Sequence, residues 1–407
     1  MKIELLAPAG GMEQLKSAIR FGADAIYGGM DRYGLRAYAG NFNDESIKEA
    51  VALAHEAGKQ FYVTLNLLPT DHDVPGMVET AAIAHRAGAD AAIVCDIGAM
   101  AEMHRQLPGL PLHVSTQANV LNSYAAKHLH DTLGVTRVVL SRELDMETIA
   151  LFHKNIPSTL EIEAFVHGAM CVAYSGRCLL SSTLHGRSGN RGACTQPCRW
   201  KYHVVEEKRP NEYMPIYEDE HGTQIFSAYD LCMLEYLPEM LEAGITSLKI
   251  EGRMKTAYYV ATVVSVYRHA LDTYLQHGKD SYARELPYLI KEIKKASHRK
   301  SNTGFYFGQP TPAAGAEGFS QTMQYVGDVL SPKTDESPAV VEIKNRIFKG
   351  DTLEVLTPKG SYTFEVEEMT GIETGEALEK ATVAGTRVFM NLPDEATTGD
   401  LLRVEKK

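Results

Sequence analysis

The chain has 407 residues, 44% of them apolar and 23% charged, with a formal net charge of -11. That length leaves room for a large core and a second domain. The acidic balance argues against indiscriminate electrostatic binding of nucleic acid, and no apolar run reaches the roughly 18 residues of a membrane-crossing helix.

The opening "MKIELLAPAGG" puts Glu4 where an export signal would be apolar. A cytoplasmic protein is therefore expected, its six cysteines reduced, metal-bound or catalytic rather than paired as disulfides. "APAGG" lacks the Lys-Ser/Thr of a nucleotide loop and is set aside. Short apolar runs then recur: "IELLAPA" (3–9), "ADAIYGG" (23–29), "QFYVTLN" (60–66), "DAAIVCD" (90–96), "LHVSTQ" (112–117), "RVVLSR" (137–142), "LEIEAFVHG" (160–168) and "SLKIEGR" (247–253). Helical stretches such as "MEQLKSAIRFG" and "MVETAAIAHRAG" separate them and end in glycine, a common helix stop. This alternation predicts an α/β fold, a (β/α)8 TIM-like barrel, with a doubly wound sheet as the alternative.

A barrel places its chemistry at the C-terminal strand ends. Here those ends carry Tyr27, Asn66, Asp96, Gln117, Arg142, His167, Glu251 and Arg253. In the seventh run, strand alternation puts Glu161, Glu163, Phe165 and His167 on one face, expected to line the lumen. Glu251 and Arg253 share a face of the eighth run, where pairing with each other and binding substrate are equally open.

The eighth run begins nearly eighty residues after the seventh. The intervening insertion (169–245) carries Cys171, Cys178, Cys194, Cys198 and Cys232, separated by six, fifteen, three and thirty-three residues. Only Cys194 and Cys198 are spaced like a zinc pair. Widely spaced thiolates suit a [4Fe–4S] cluster, and Gly168, Gly176, Gly189 and Gly192 would let backbone amides approach it. From Ala164 to Val205 there is no acid, while Arg177, Arg187, Arg191, Arg199 and Lys201 fall inside, so an anionic ligand is expected here. "GNRGA" could form an anion nest but reads more simply as a turn. Cys95, inside "AAIVCD", is expected to be plain core.

Beyond the barrel (1–300), residues 301–323 read as a linker and 324–407 as a small all-β barrel or sandwich. Its strands are "QYVGDVL", "AVVEIKN", "DTLEVLT", "YTFEVEEM" and "TRVFMNL".

The motifs "EAFVHGAMCVAYSGRCLLSS", "NRGACTQPCRW" and "LKIEGRMK", with the opening "ELLAPAGGMEQLKSAIRFGADAIYGG", resemble those of the collagenase-like peptidases, family thirty-two among peptidases of unknown catalytic type. The similarity spans nearly the whole chain. Its length and small β domain resemble the branch that hydroxylates tRNA, forming 5-hydroxyuridine at the wobble base without oxygen. That resemblance implies a [4Fe–4S] cluster on Cys171, Cys178, Cys194 and Cys232, with Cys198 as a surplus thiol. It implies prephenate as a carboxylate hydroxyl donor, and tRNA and the iron–sulfur assembly machinery as partners. Asn66, Gln117, Arg187, Arg191, Arg199, Glu251 and Arg253 would then bind substrate, and His167 and Glu163 would carry protons. The family name implies a peptidase instead, yet no HExxH, GxSxG or persuasive Cys–His pairing is present. A scaffold that holds a cluster and captures a protein partner is the third possibility.

Overall fold

A computed structural model describes residues 3–171, 173–200, 229–308 and 319–406, with the backbone of short strand pieces between 205 and 223. Lys201, most of the later insertion, and residues 309–318 of the expected linker lie outside the described residues.

Eight parallel strands close on themselves. They are β1 (Glu4–Ala9), β2 (Ala25–Gly29), β3 (Gln60–Leu65), β4 (Ala91–Val94), β5 (Leu112–Val114), β6 (Arg137–Val139), β7 (Glu161–Ala169) and, last in the ring, Ser247–Ile250. That last strand pairs with both β7 and β1, which makes the sheet a closed barrel rather than an open doubly wound one. Helices α1 (Met12–Arg20), α2 (Ser46–Glu56), α3 (Val74–Arg86), α4 (Ile97–Gln106), α5 (Ser123–Leu133) and α6 (Met146–Lys154) alternate with the strands. Asp96 is spent locally: its side chain accepts from the Ala99 amide and caps α4.

β7 runs nine residues, longer than its neighbours, and its free end takes an extra partner. A short returning strand, β8 (Asp230–Cys232), pairs antiparallel with it, Asp230 opposite Ala169 and Cys232 opposite His167. The eighth barrel strand, β9 (Ser247–Ile250), is followed by a long helix, Ala257–Ile293, bent at Gly278 where φ is 77°. Tyr267 on this helix donates to the Val166 carbonyl at 2.8 Å and fastens it to β7.

The lower lumen is ionic rather than apolar. Arg137 reaches Glu4 at 2.6 Å and Glu163 at 3.3 Å, Lys249 meets Glu163 at 2.5 Å, and Tyr62 donates to Glu4 at 2.7 Å. Each buried charge has an opposite charge and further hydrogen bonds, the condition under which such groups are tolerated. Ile162, Ala164 and Val166, on the other face of β7, are buried in the apolar core.

The C-terminal domain has a seven-stranded antiparallel sheet with its own apolar core. Leu401–Glu405, which has no strong pattern of its own, lies between Met323–Ser331 and Thr352–Thr357 near the middle of that sheet. Its Arg403 is fully buried and binds Glu292 of the long helix at 2.6 Å and Glu354 at 2.7 Å. Arg20 of α1 holds Asp400 at 2.6 Å, and Tyr258 stacks on Tyr325 with ring centroids 5.6 Å apart. The two domains are joined by these buried contacts. Among the described residues no helix is long and apolar enough to cross a membrane.

Candidate active site

The C-terminal ends of the barrel strands surround a cavity with about 660 Å³ of empty space, part of it open to solvent. Tyr27, Asn66, Gln117, Arg142, His167, Glu251 and Arg253, all marked by the sequence, line it. So do Arg36 and Lys249, which with Arg142 and Arg253 make, among the described residues, a set of four cations around one acid, Glu251. Glu163 faces the lumen but lies below the cavity lining, fully buried between Arg137 and Lys249.

The partners of these charges decide what the cavity can bind. Glu251 accepts from Tyr27 at 3.2 Å and pairs with Arg36 at 3.4 Å, not with Arg253. Burial would raise its carboxyl, but Arg36, Arg253 and Lys249 outweigh burial and hold it below its usual value. Arg253 donates to Thr64 at 2.8 Å and to Asn41, both neutral, and its Nε is buried without a partner. Burial lowers its guanidinium to about 10. Arg142 lies 5.9 Å from the Phe165 ring and touches Ser175 at 3.4 Å; among the described residues it forms no ion pair. Among the described residues, two guanidinium groups thus face the cavity without a carboxylate of their own.

His167 departs from the expected alternation. The ladder between β7 and β9 slips between Lys249 and Ile250, whose partners are Phe165 and His167, so Val166 is an extra residue. Beyond this bulge the His167 ring packs against Tyr259 and Tyr267, at centroid distances of 6.2 and 5.6 Å, on the helix side. Its Nδ1 has no hydrogen-bond partner, and burial lowers the imidazole to about 4, so it is neutral near pH 7. Phe165 keeps its place in the lining.

The cysteine segment covers one side of the mouth. Gly168 has φ 111°, and a Cβ there would come within 2.3 Å of the Glu251 carbonyl. Gly176, at φ 72°, comes as close to Gln117, 2.1 Å by the same measure. Only glycine permits both the left-handed turn and the close approach. Ser175 binds Glu143 through its amide at 2.9 Å, and the Asn190 carbonyl accepts from Leu68. Within the segment, Asn190 donates to the Cys178 carbonyl at 3.0 Å, and the Thr195 amide donates to Ser181 at 3.1 Å.

Cys198 lies within electrostatic reach of Cys171, Cys194 and Cys178; burial, then these neighbours, push its thiol up to about 11. Cys232 stands apart, its Sγ 4.0 Å from the Tyr267 hydroxyl on the helix side. All five thiols, and buried Cys95, are free. Among the described residues no three His, Cys, Asp or Glu side chains are close enough together to hold a metal ion as they stand. The donor set nevertheless has the chemistry of a thiolate-held cluster: several thiols, no acid from Ala164 to Val205, and arginines nearby.

The predicted arginines of the segment are placed differently from one another. Arg191 is committed to Asp73 at 2.8 Å and to the Leu68 carbonyl at 3.0 Å, and serves to tether the segment. Arg187 lies over the exposed ring of Tyr38 at 5.4 Å. Arg199 donates to Gln196 at 2.6 Å, beside Cys198. Lys249 had a signal in the sequence, since it alternates with Glu251 and Arg253 along "KIEGR". Arg36 comes from the irregular segment after β2 and had none.

Similarity to known proteins agrees with this architecture. The chain matches Peptidase family U32 over residues 10–315 and the Peptidase family U32 C-terminal domain over residues 321–403. It is 34% identical to tRNA hydroxylation protein P of Escherichia coli (97% of this chain, 94% of the relative) and 37% identical to tRNA hydroxylation protein P1 of Bacillus subtilis (93% and 89%). It is 31% identical to a protein of Porphyromonas gingivalis named collagenase, over 99% of this chain and 98% of that one. With both domains matched and full-length relatives above 30% identity, the chain belongs to Peptidase family U32.

Proposed function

We propose that this protein is an enzyme that hydroxylates tRNA, forming 5-hydroxyuridine at the wobble position without oxygen. The names of the E. coli and B. subtilis relatives support the substrate class. The observation that carries the proposal is the charge of the cavity: Arg142 and Arg253 face it without acid partners, beneath a segment rich in thiols. A small donor with two carboxylates, of the prephenate kind, matches two such guanidinium groups. Asn66 and Gln117 offer amide groups suited to the edge of an unstacked uracil.

Cys171, Cys178 and Cys194 would hold three corners of a [4Fe–4S] cluster. The fourth falls to Cys232, carried by the family motif, or to Cys198, which stands nearer the other three. When bound, the cluster supplies one-electron chemistry at the mouth. The protein's own groups orient the donor through Arg142 and Arg253, exclude water with Phe165, Met170 and Leu231, and hold Glu251 ionised. His167, expected to carry protons, is instead a neutral imidazole whose ring packs on the long helix behind the cavity wall. Glu163 acts through Lys249, whose ammonium it positions from below.

The test is nucleoside analysis of tRNA from cells lacking the protein, complemented by wild type or by Arg142→Gln. Wild type restores hydroxylated uridine and R142Q does not; full restoration by R142Q, or no loss in the deletion, overturns the proposal. The P. gingivalis relative's name supports a second assignment, a peptidase. Among the described residues the His167 ring hydrogen-bonds no hydroxyl or thiol. Peptide release from gelatin by iron-free protein would favour that assignment.

A further inference from the structure

Beside the cavity, on the rim between the ends of β7 and β9, a second group of cations surrounds an exposed aromatic ring. Lys255 follows Arg253 by two residues. Its Nζ lies 4.5 Å from the centroid of Phe319 and 5.0 Å from that of Tyr259. The Arg299 guanidinium lies 5.3 Å from the same Phe319 centroid. Phe319 is nevertheless 59% exposed, so its ring is clasped by two cations and still open to a ligand.

Among the described residues the one acid in contact is Asp230. It is buried, and Arg299 occupies it through the side chain at 2.6 and 3.1 Å and through the backbone amide at 3.0 Å. Among the described residues Lys255 has only the Ser297 carbonyl at 3.3 Å as a hydrogen-bond acceptor. Burial first, then the Arg299 charge, lowers Arg199; burial lowers Lys255 too, and there the Arg299 and Arg199 charges work against the opposing pull of Asp230. Among the described residues, three cations against one engaged carboxylate leave an excess of two positive charges. Asp230 pairs with Ala169, which lines the cavity, so the cluster and the cavity share a wall.

An excess of half-buried cations flanking an open ring fits a nucleotide, whose phosphate takes the charges and whose base stacks on the ring. We infer that Lys255, Arg299, Arg199 and Phe319 form a binding subsite for the phosphodiester and base of a nucleotide flanking the one that enters the cavity. This inference rests on the assignment of tRNA as substrate. A base inserted in the cavity must leave its neighbours outside, and the cluster lies along the exit. The negative charge of the whole chain is then no obstacle, because the subsite presents its own local positive field.

The experiment measures binding of unmodified tRNA to the full-length protein across a salt series, for wild type, Phe319→Ala, Lys255→Gln and Arg199→Gln. Phe319→Ala weakens binding by about fivefold or more through lost stacking. Lys255→Gln and Arg199→Gln each weaken it and flatten the salt dependence by about 0.9 in log–log slope per charge removed. Circular dichroism melting and iron content confirm folding, and Lys255→Arg restores the slope. If wild type binds tRNA and all three variants bind equally well with an unchanged slope, the subsite is wrong and the tRNA assignment stands. If wild type binds no tRNA at all, the assignment fails and takes the subsite with it.

Discussion

Arg142 offers the sharpest test of the cavity. Its guanidinium makes one long contact to Ser175, 3.4 Å, and lies 5.9 Å from the Phe165 ring. Replacing it with Gln therefore removes little of the folded state's own bonding, and a loss of about 1 kcal/mol or less is expected. A carboxylate ligand loses a charge-assisted pair instead, worth about 1.5–3 kcal/mol, or about a 10- to 150-fold loss of affinity. Arg36→Gln makes the contrast, since it removes the ion-pair partner of Glu251 and disturbs the empty protein as well. Calorimetric titration with prephenate reads the affinity, and urea unfolding reads the stability. Unchanged affinity in R142Q, or a stability loss matching that of R36Q, would refute the claim that Arg142 is held ready for a ligand.

Further outcomes follow from the buried groups. Glu163→Ala leaves Arg137 and Lys249 without a shared counter-charge in the lumen and should cost about 3–5 kcal/mol in urea unfolding; a loss under 1 kcal/mol would show that the network is not structural. The folded imidazole of His167 sits at about 4, below the ordinary value near 6.5, so the unfolded chain takes up the proton first as pH falls. Its contribution is complete above about pH 6.5 and is lost progressively down to pH 4, about 3 kcal/mol in all. His167→Gln should lose less stability than wild type between pH 7 and 4.5, and identical pH profiles would contradict the assignment. For the cysteines, alanine at Cys171, Cys178 or Cys194 should remove most of the iron from anaerobically reconstituted protein, as should only one of C198A and C232A. Iron retained in both of the last two would exclude a four-cysteine site.

Much of the architecture was present in the sequence because its cause is local. Apolar runs of strand length, glycines at helix ends and polar residues at strand termini each act over a few neighbours, and they marked all eight barrel strands and seven of the cavity residues. The thiol-rich, acid-free segment was likewise visible as composition. What the tertiary structure alone decided concerns contacts between distant positions. One extra residue at Val166 turned the His167 ring from the lumen to the long helix, and no two-residue period encodes a bulge. Arg36 entered the cavity from an irregular segment, Arg191 was drawn off to Asp73, and Leu401–Glu405 became a central strand because partners on both sides supplied its hydrogen bonds. Which cations remain free for a ligand depends on where every carboxylate ends, and only the folded chain brings those groups within reach of each other.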